Sequence, residues 1–337
     1  MRKVIKIFGI IVAVFLLFAL LLKILLIVRK LPTSPIKSEE IGSVQIINLD
    51  RSKDRRDAYE KMLNDNFGDE FFGKKISSEL RLSATDGVRD LAIIELDNDG
   101  KEVENVDISK LKKGEIKLKA NVKYKVFDKN YPEFAYSYKL EPEKIVVDKK
   151  KSHQRHLTVG EFGCMLSHLR AIRNVSNSDD GDIGLVIEDD VYIPSDFYDS
   201  LQLILHEAPS NFSIIKLDSA KGGGKDNNFR FNTHTSSFLF SDLFYGYSEY
   251  FYNAKAEIIH GVAGTTGYLI TKEYAKQLTE LFKVETINGF EGASDMLLFL
   301  LLPKKYNADT IWIVKKPILW QKGFKSQISL MQSRKSL

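Results

Sequence analysis

Cysteine is all but missing from this 337-residue chain: Cys164 stands alone. No intramolecular disulfide can form, so the fold cannot depend on one. The usage favours a reducing compartment without excluding a lumen. Charge imbalance is missing too. With 49 basic and 45 acidic residues the net charge is only +4, and the basic residues are scattered rather than gathered into a patch with interleaved aromatics. That argues against nucleic acid as a partner. No internal repeat at a fixed period is present, which removes solenoids and propellers. A glycine-rich phosphate loop is also lacking. Gly222-Gly223-Gly224 has no Lys-Ser/Thr ending and opens no obvious helix, so a nucleotidyl or phosphoryl transferase built on such a loop is disfavoured.

What the chain does have, from its first residues, is a long apolar run. Met1-Arg2-Lys3 precedes Val4 to Val28, in which only Lys6 and Lys23 are charged, and Arg29-Lys30 closes it. Such a run spans a bilayer with some tilt, and lysines near its ends can snorkel. No polar face interrupts it, as one would in a buried soluble helix. A signal peptide would have a shorter apolar region and a small-residue cleavage site. Residues 1–30 are therefore expected to form a single uncleaved transmembrane anchor, with residues 31–42 as a stiff linker. Basic residues beside the anchor suit anionic lipid headgroups. They flank both ends, so the positive-inside rule barely chooses an orientation. The remaining domain faces the cytoplasm if the source is bacterial and the Golgi or ER lumen if it is eukaryotic.

The remainder is long enough for one large core or two modest ones. Ser43 to Leu49 reads as a first buried strand, followed by a polar loop and a helix through Tyr59 and Met62. Arg81 to Ala84 is a short strand stopped by the Asp86-Gly87 turn. Residues 88–152 change character: they are lysine-rich and alternating, as in Ile116-Lys117-Leu118-Lys119-Ala120-Asn121-Val122. Alternation predicts strands with one wet face, hence a β-rich insertion. A helix is expected over Val159 to Val175, strands at Leu185 to Ile187, Ile214 to Asp218 and Tyr268 to Ile270, and a helix from Lys272 to Phe282. This rhythm implies an open α/β sheet, mixed but mostly parallel. The domain is placed at residues 43–325, with 326–337 as a tail.

The most informative stretch is Gly184-Leu185-Val186-Ile187-Glu188-Asp189-Asp190-Val191. An apolar strand delivers three consecutive carboxylates and returns at once to apolar residues. Like charges packed that closely repel each other and lose solvation, and a core has no need of them. A divalent cation removes that cost, and hard oxygen ligands suit Mg²⁺ or Mn²⁺. Such a cation keeps open positions for substrate phosphates. The plainer reading is a strand ending in a solvated acidic turn. The carboxylates, however, terminate a buried-looking strand, where α/β folds place their sites.

Six segments follow one another along the chain. They are Ile47-Asn48-Leu49-Asp50-Arg51 with Arg55-Arg56, then Ala84-Thr85-Asp86-Gly87, then Leu157-Thr158-Val159-Gly160-Glu161-Phe162-Gly163-Cys164-Met165-Leu166-Ser167-His168. Glu188-Asp189-Asp190-Val191 follows, then Thr266-Gly267-Tyr268-Leu269-Ile270 with Ala275, Lys276 and Leu278, and finally Ser294-Asp295. Together they resemble glycosyltransferase family 25, which includes lipooligosaccharide and collagen galactosyltransferases. The stretch between Gly87 and Leu157 is longer than the family pattern, and the region after Lys304 resembles it only loosely.

The resemblance implies a GT-A-like αβα sandwich that moves a hexose, galactose first, from a UDP-sugar to a glycan, lipooligosaccharide or glycoprotein acceptor with inversion. It implies Mn²⁺ or Mg²⁺ on Asp190, with Asp189 as a second ligand. Glu188 or Asp189 would reach the metal through water or hold the ribose. Asn48, Asp50 and Arg51 follow the C-terminal end of the first strand, where donor contacts are expected, with a solvated charged loop as the competing account; Asp86, in the matched turn, is expected on the donor with them. Inversion needs a general base near the acceptor hydroxyl. Asp295 is the candidate, with helix capping by Ser294 or Asp295 as the competing account, and Glu188 or Asp189 stand next. His168 reads as a satisfied core histidine, His260 as a surface one, and Glu161 as the capping-box partner of Thr158. A non-catalytic relative, a carbohydrate-binding or adhesion protein, is the alternative. The intact acidic triplet argues against it, since a binding module has little reason to retain that electrostatic cost.

Overall fold

The computed structural model describes residues 40–141, 157–209, 211–218, 251–253, 264–289, 298, 310–314 and 317–321. The expected anchor, the aromatic segment before Tyr252, His260, Ser294, Asp295 and the C-terminal tail lie outside the described residues. Among those described, no helix is long and apolar enough to cross a membrane.

In chain order the elements are β1 (Ile41–Asn48), α1 (Lys53–Phe67), β2 (Glu70–Phe71), β3 (Lys74–Lys75), β4 (Arg81–Ser83), β5 (Leu91–Leu96), β6 (Glu102–Asn105), α2 (Ile108–Lys113), β7 (Lys123–Asp128) and β8 (Tyr131–Lys139). There follow α3 (Val159–Asn177), β9 (Ile183–Glu188), β10 (Val191–Tyr192), α4 (Phe197–Glu207), β11 (Ile214–Lys216), β12 (Phe251–Asn253), β13 (Gly267–Thr271), α5 (Lys272–Val284), β14 (Thr286–Asn288), β15 (Ile311–Val314) and β16 (Trp320–Gln321).

The main sheet has the order β12-β15-β11-β13-β9-β1-β4. Five of its strands point one way, and only β13 and β12 run against them. This is a mixed, largely parallel sheet. Its strands are apolar on both sides because both faces are covered. Ile47, Val186, Tyr268 and Ile270 join one cluster with α3 and α5. Val44, Ile46, Leu185, Ile187 and Leu269 join a second with α1 and α4. The alternation of strand side chains thus sorts neighbours into two cores, one on each face, and gives three layers.

The second sheet, β14-β8-β7-β5-β6, lies against the far side of α3. Leu91, Ile93, Tyr124, Val126, Tyr136 and Tyr138 bury themselves in the same cluster as Phe162 and Leu166. That explains why 14 of the 19 residues of α3 are buried: a helix between two sheets has almost no wet face. Asp128 of β7 ties the sheets together by accepting from Thr85 Oγ1 at 2.6 Å and facing Arg170 at 3.6 Å.

One expectation is overturned here. Ile116 to Val122 alternates but forms no strand. Asn121 takes a left-handed φ of 61°, which breaks an extended run. The Lys119 amide donates to the Tyr124 hydroxyl at 2.8 Å rather than to a ladder. Leu118 is buried as a single plug.

Candidate functional site

β1, β4 and β9 run parallel, so their C-terminal ends gather at one edge of the sheet, with Ile47 opposite Glu188 and Asn48 opposite Ser83. The start of the antiparallel β13, with Thr265 and Thr266 before it, meets the same edge. Polar side chains from each connection converge there.

A bracket of polar residues follows β1 and β4. Asn48 is buried; its Nδ2 donates to Asp189 Oδ2 at 2.6 Å, and its Oδ1 accepts from Arg81 Nε at 3.0 Å. Asp50 accepts from the Arg81 guanidinium and from Ser83 Oγ. Burial works to raise the Asp50 pKa, but those two donors outweigh it and hold the carboxyl below its usual range. Arg51 Nε donates to Asp86 Oδ2 at 2.6 Å, and Asp86 Oδ1 accepts from the Val88 amide at 3.0 Å. The four residues expected on the donor therefore stand beside one another.

The turn that carries Asp86 is pressed onto the first turn of α3. A Cβ on Gly87 would lie 1.9 Å from the Val159 carbonyl oxygen, and one on Gly163 would lie 2.7 Å from that of Thr85. Only glycine allows these backbones to touch. The helix end itself is fixed by a capping box, in which Thr158 Oγ1 accepts from the Glu161 amide and Glu161 Oε2 accepts from the Thr158 amide. Glu161 has that capping role.

The acidic triplet does not act as one cluster. Glu188 turns toward α3, where its Oε1 accepts from Thr265 Oγ1 at 2.6 Å and lies 3.3 Å from His168 Nε2. His168 is buried, with Nδ1 3.1 Å from the Tyr268 hydroxyl. Burial works to raise the Glu188 pKa, but the bond and charge of His168 and the bond from Thr265 prevail, leaving it below the ordinary glutamate value.

Asp189 and Asp190 turn instead toward α1. Arg55 Nη2 lies 2.6 Å from Asp189 Oδ1 and 2.8 Å from Asp190 Oδ2. Gln321 Nε2 donates to Asp190 Oδ2 at 3.2 Å. Burial raises the pKa of both carboxyls against the pull of Arg55. For Asp190, burial and the nearby Glu188 carry it to about 6. Asp190 Oδ1 is buried and has no hydrogen-bond partner among the described residues. A desolvated carboxylate oxygen of that kind suits a hard cation. Arg55 supplies one positive charge to the two carboxylates Asp189 and Asp190, so a cation would also balance the charge. The residues present fit Mg²⁺ or Mn²⁺.

Several contributors were given no site role by sequence reasoning, Thr265 beside Glu188 among them. Arg55 had a signal: it lies in the first turn of α1, where positive charge opposes the helix dipole, so it calls for carboxylate partners. Asp218 had one as well, because it follows the strand segment Ile214-Ile215-Lys216-Leu217 much as Glu188 ends β9. It is buried, accepts from Lys216 Nζ at 2.7 Å, and has its pKa raised by burial. Gln321 had none. It reaches Asp190 only because β16 pairs with β10. Asp295 and His260 lie outside the described residues.

The family model of glycosyltransferase family 25 (LPS biosynthesis protein) matches residues 43–297, from β1 to beyond α5. No curated protein matches the chain.

Proposed function

The chain belongs to glycosyltransferase family 25, and from that premise we propose that it is a membrane-anchored, metal-dependent, inverting hexosyltransferase. Its donor is a UDP-sugar, UDP-galactose first, and its acceptor a glycan such as that of a lipooligosaccharide or glycoprotein. The observation that carries the reading is the buried Asp190 Oδ1, which has no hydrogen-bond partner among the described residues, beside Asp189 at the C-terminal edge of the sheet.

Asp190, with Asp189, would hold Mn²⁺ or Mg²⁺. When bound, that ion offsets the negative charge that grows on a departing diphosphate. Asn48, Asp50, Arg51 and Asp86 form a bracket of donors and acceptors suited to a nucleoside. Glu188, kept ionised by His168 and Thr265, presents a fixed acceptor for a ribose hydroxyl. Asp295 is the proposed base that removes the proton of the acceptor hydroxyl, on the face opposite the leaving group.

The test is donor hydrolysis by the purified full-length chain across a panel of nucleotide sugars with Mn²⁺. UDP-galactose should be turned over. EDTA should abolish the reaction, and Asp190→Asn should lower it by orders of magnitude while the fold is kept. Undiminished turnover in EDTA or by Asp190→Asn would overturn the metal assignment. UDP binding that is indifferent to Mn²⁺, with no turnover of any donor, would favour the carbohydrate-binding alternative.

A further inference from the structure

We propose that Cys164, His168 and Glu188 form a second cation site, one for a borderline-soft divalent ion of the Zn²⁺ type. Cys164 and His168 are four residues apart on α3 and so share one helix face. The end of β9 brings Glu188 to that face. The thiol, imidazole and carboxylate ligand atoms lie within 4.8 Å of one another, the one place among the described residues where three such groups converge.

Ligand chemistry separates this site from the Asp189–Asp190 pair. A thiolate and an imidazole select Zn²⁺ over Mg²⁺ or Mn²⁺, which favour oxygen alone. Spacing agrees for the imidazole and the carboxylate. His168 Nε2 and Glu188 Oε1 stand 3.3 Å apart, about the separation of two ligands each roughly 2 Å from a tetrahedral ion. The supporting groups are already in place. Tyr268 meets His168 Nδ1 at 3.1 Å, the ion would take the place of the proton between His168 Nε2 and Glu188 Oε1, and Thr265 donates to Glu188 Oε1 at 2.6 Å. Partners of this kind orient metal ligands.

Charge also closes. On binding, the Cys164 thiol releases its proton to solvent, and thiolate plus carboxylate then match the two positive charges of the ion. Cys164 and Glu188 are only half-buried, which leaves an approach for the ion, while His168 is fully enclosed. Three protein ligands leave a fourth position for water. Glu188 belongs to both sites. Resting on the transferase reading, Zn²⁺ would draw Glu188 away from the donor and inhibit an enzyme that Mn²⁺ activates.

Co²⁺ titration of the full-length chain under reducing conditions tests the site. With one cysteine in the chain, a thiolate-to-cobalt absorption band can report only Cys164. We expect a saturable band that Zn²⁺ displaces, that Cys164→Ser abolishes with the melting temperature kept, and that Asp190→Asn retains. Tyr268→Phe should weaken Co²⁺ binding by about 10–100-fold. Absence of the band, or its loss in Asp190→Asn, would overturn the site. A band without sugar-donor turnover would leave this site standing and remove the transferase reading. Turnover without a band would do the reverse.

Discussion

At the scale of single residues, Asp190 makes the sharpest claim. Its pKa of about 6 in the folded chain lies above the 3.8 of an exposed aspartate. Between those values the folded chain keeps a proton that the unfolded chain has released. The stability this group contributes is therefore full below about pH 4 and lost as pH rises through 6. Asp190→Asn cannot ionise. In EDTA, its stability relative to the parent chain should improve by on the order of 1–2 kcal/mol between pH 4.5 and 7.5. Parallel melting curves that keep a constant gap would show that Asp190 is not the buried acid described. Asp295 is tested by activity. A base lost in Asp295→Asn should cut turnover by roughly 10²–10⁴-fold, with little change in melting temperature or UDP affinity, whereas an N-cap is served almost as well by Asn. Normal turnover would pass the base role to Glu188 or Asp189. The acidic stretch was legible in sequence because three carboxylates at a strand end are rare. Its division was not: Glu188 faces α3 and its two successors face Arg55, and which partners wait on each face depends on tertiary structure.

At the scale of elements, strands buried on both faces were easy to read. Ile46-Ile47 and Val186-Ile187 are apolar without interruption, and length bounds them. Ile116 to Val122 misled because alternation also arises when a loop buries one leucine, and periodicity does not see the left-handed φ of Asn121. The same blindness covers the contact between the Asp86-Gly87 turn and α3, which the glycines permit but do not announce. Gly87→Ala tests it. The added methyl group must push the Val159 carbonyl away, at a cost of at least about 1–3 kcal/mol. Because Arg51 is held by Asp86 next door, UDP affinity should fall along with the melting temperature. A stability loss with UDP affinity unchanged would show that the turn does not reach the donor.

At the scale of the whole molecule, the proposed anchor should act as a tether. Deleting residues 1–30 should give a protein that leaves the membrane fraction and still hydrolyses its donor sugar, since every matched segment lies beyond residue 42. Turnover on a membrane-bound acceptor should drop more than on a soluble one, because confinement raises effective concentration. Equal turnover on both would give the segment another role.

The pairing of β14 with β8 joins residues 286–288 to residues 137–139, and that has a consequence during synthesis. The ribosome releases β8 with one row of backbone amides and carbonyls unpaired, and its partner is still about 150 residues away. At 5–20 residues per second, the wait is on the order of ten seconds or more. Through that interval the nascent chain carries an open β edge, the kind of surface to which another unfinished copy can add. The exposed Glu133 of β8 stands on the open strand, where a charge discourages that addition. The row along residues 137–139 thus stays open until residues 286–288 emerge, and a chain cut short before α5 would leave the ribosome with it still bare.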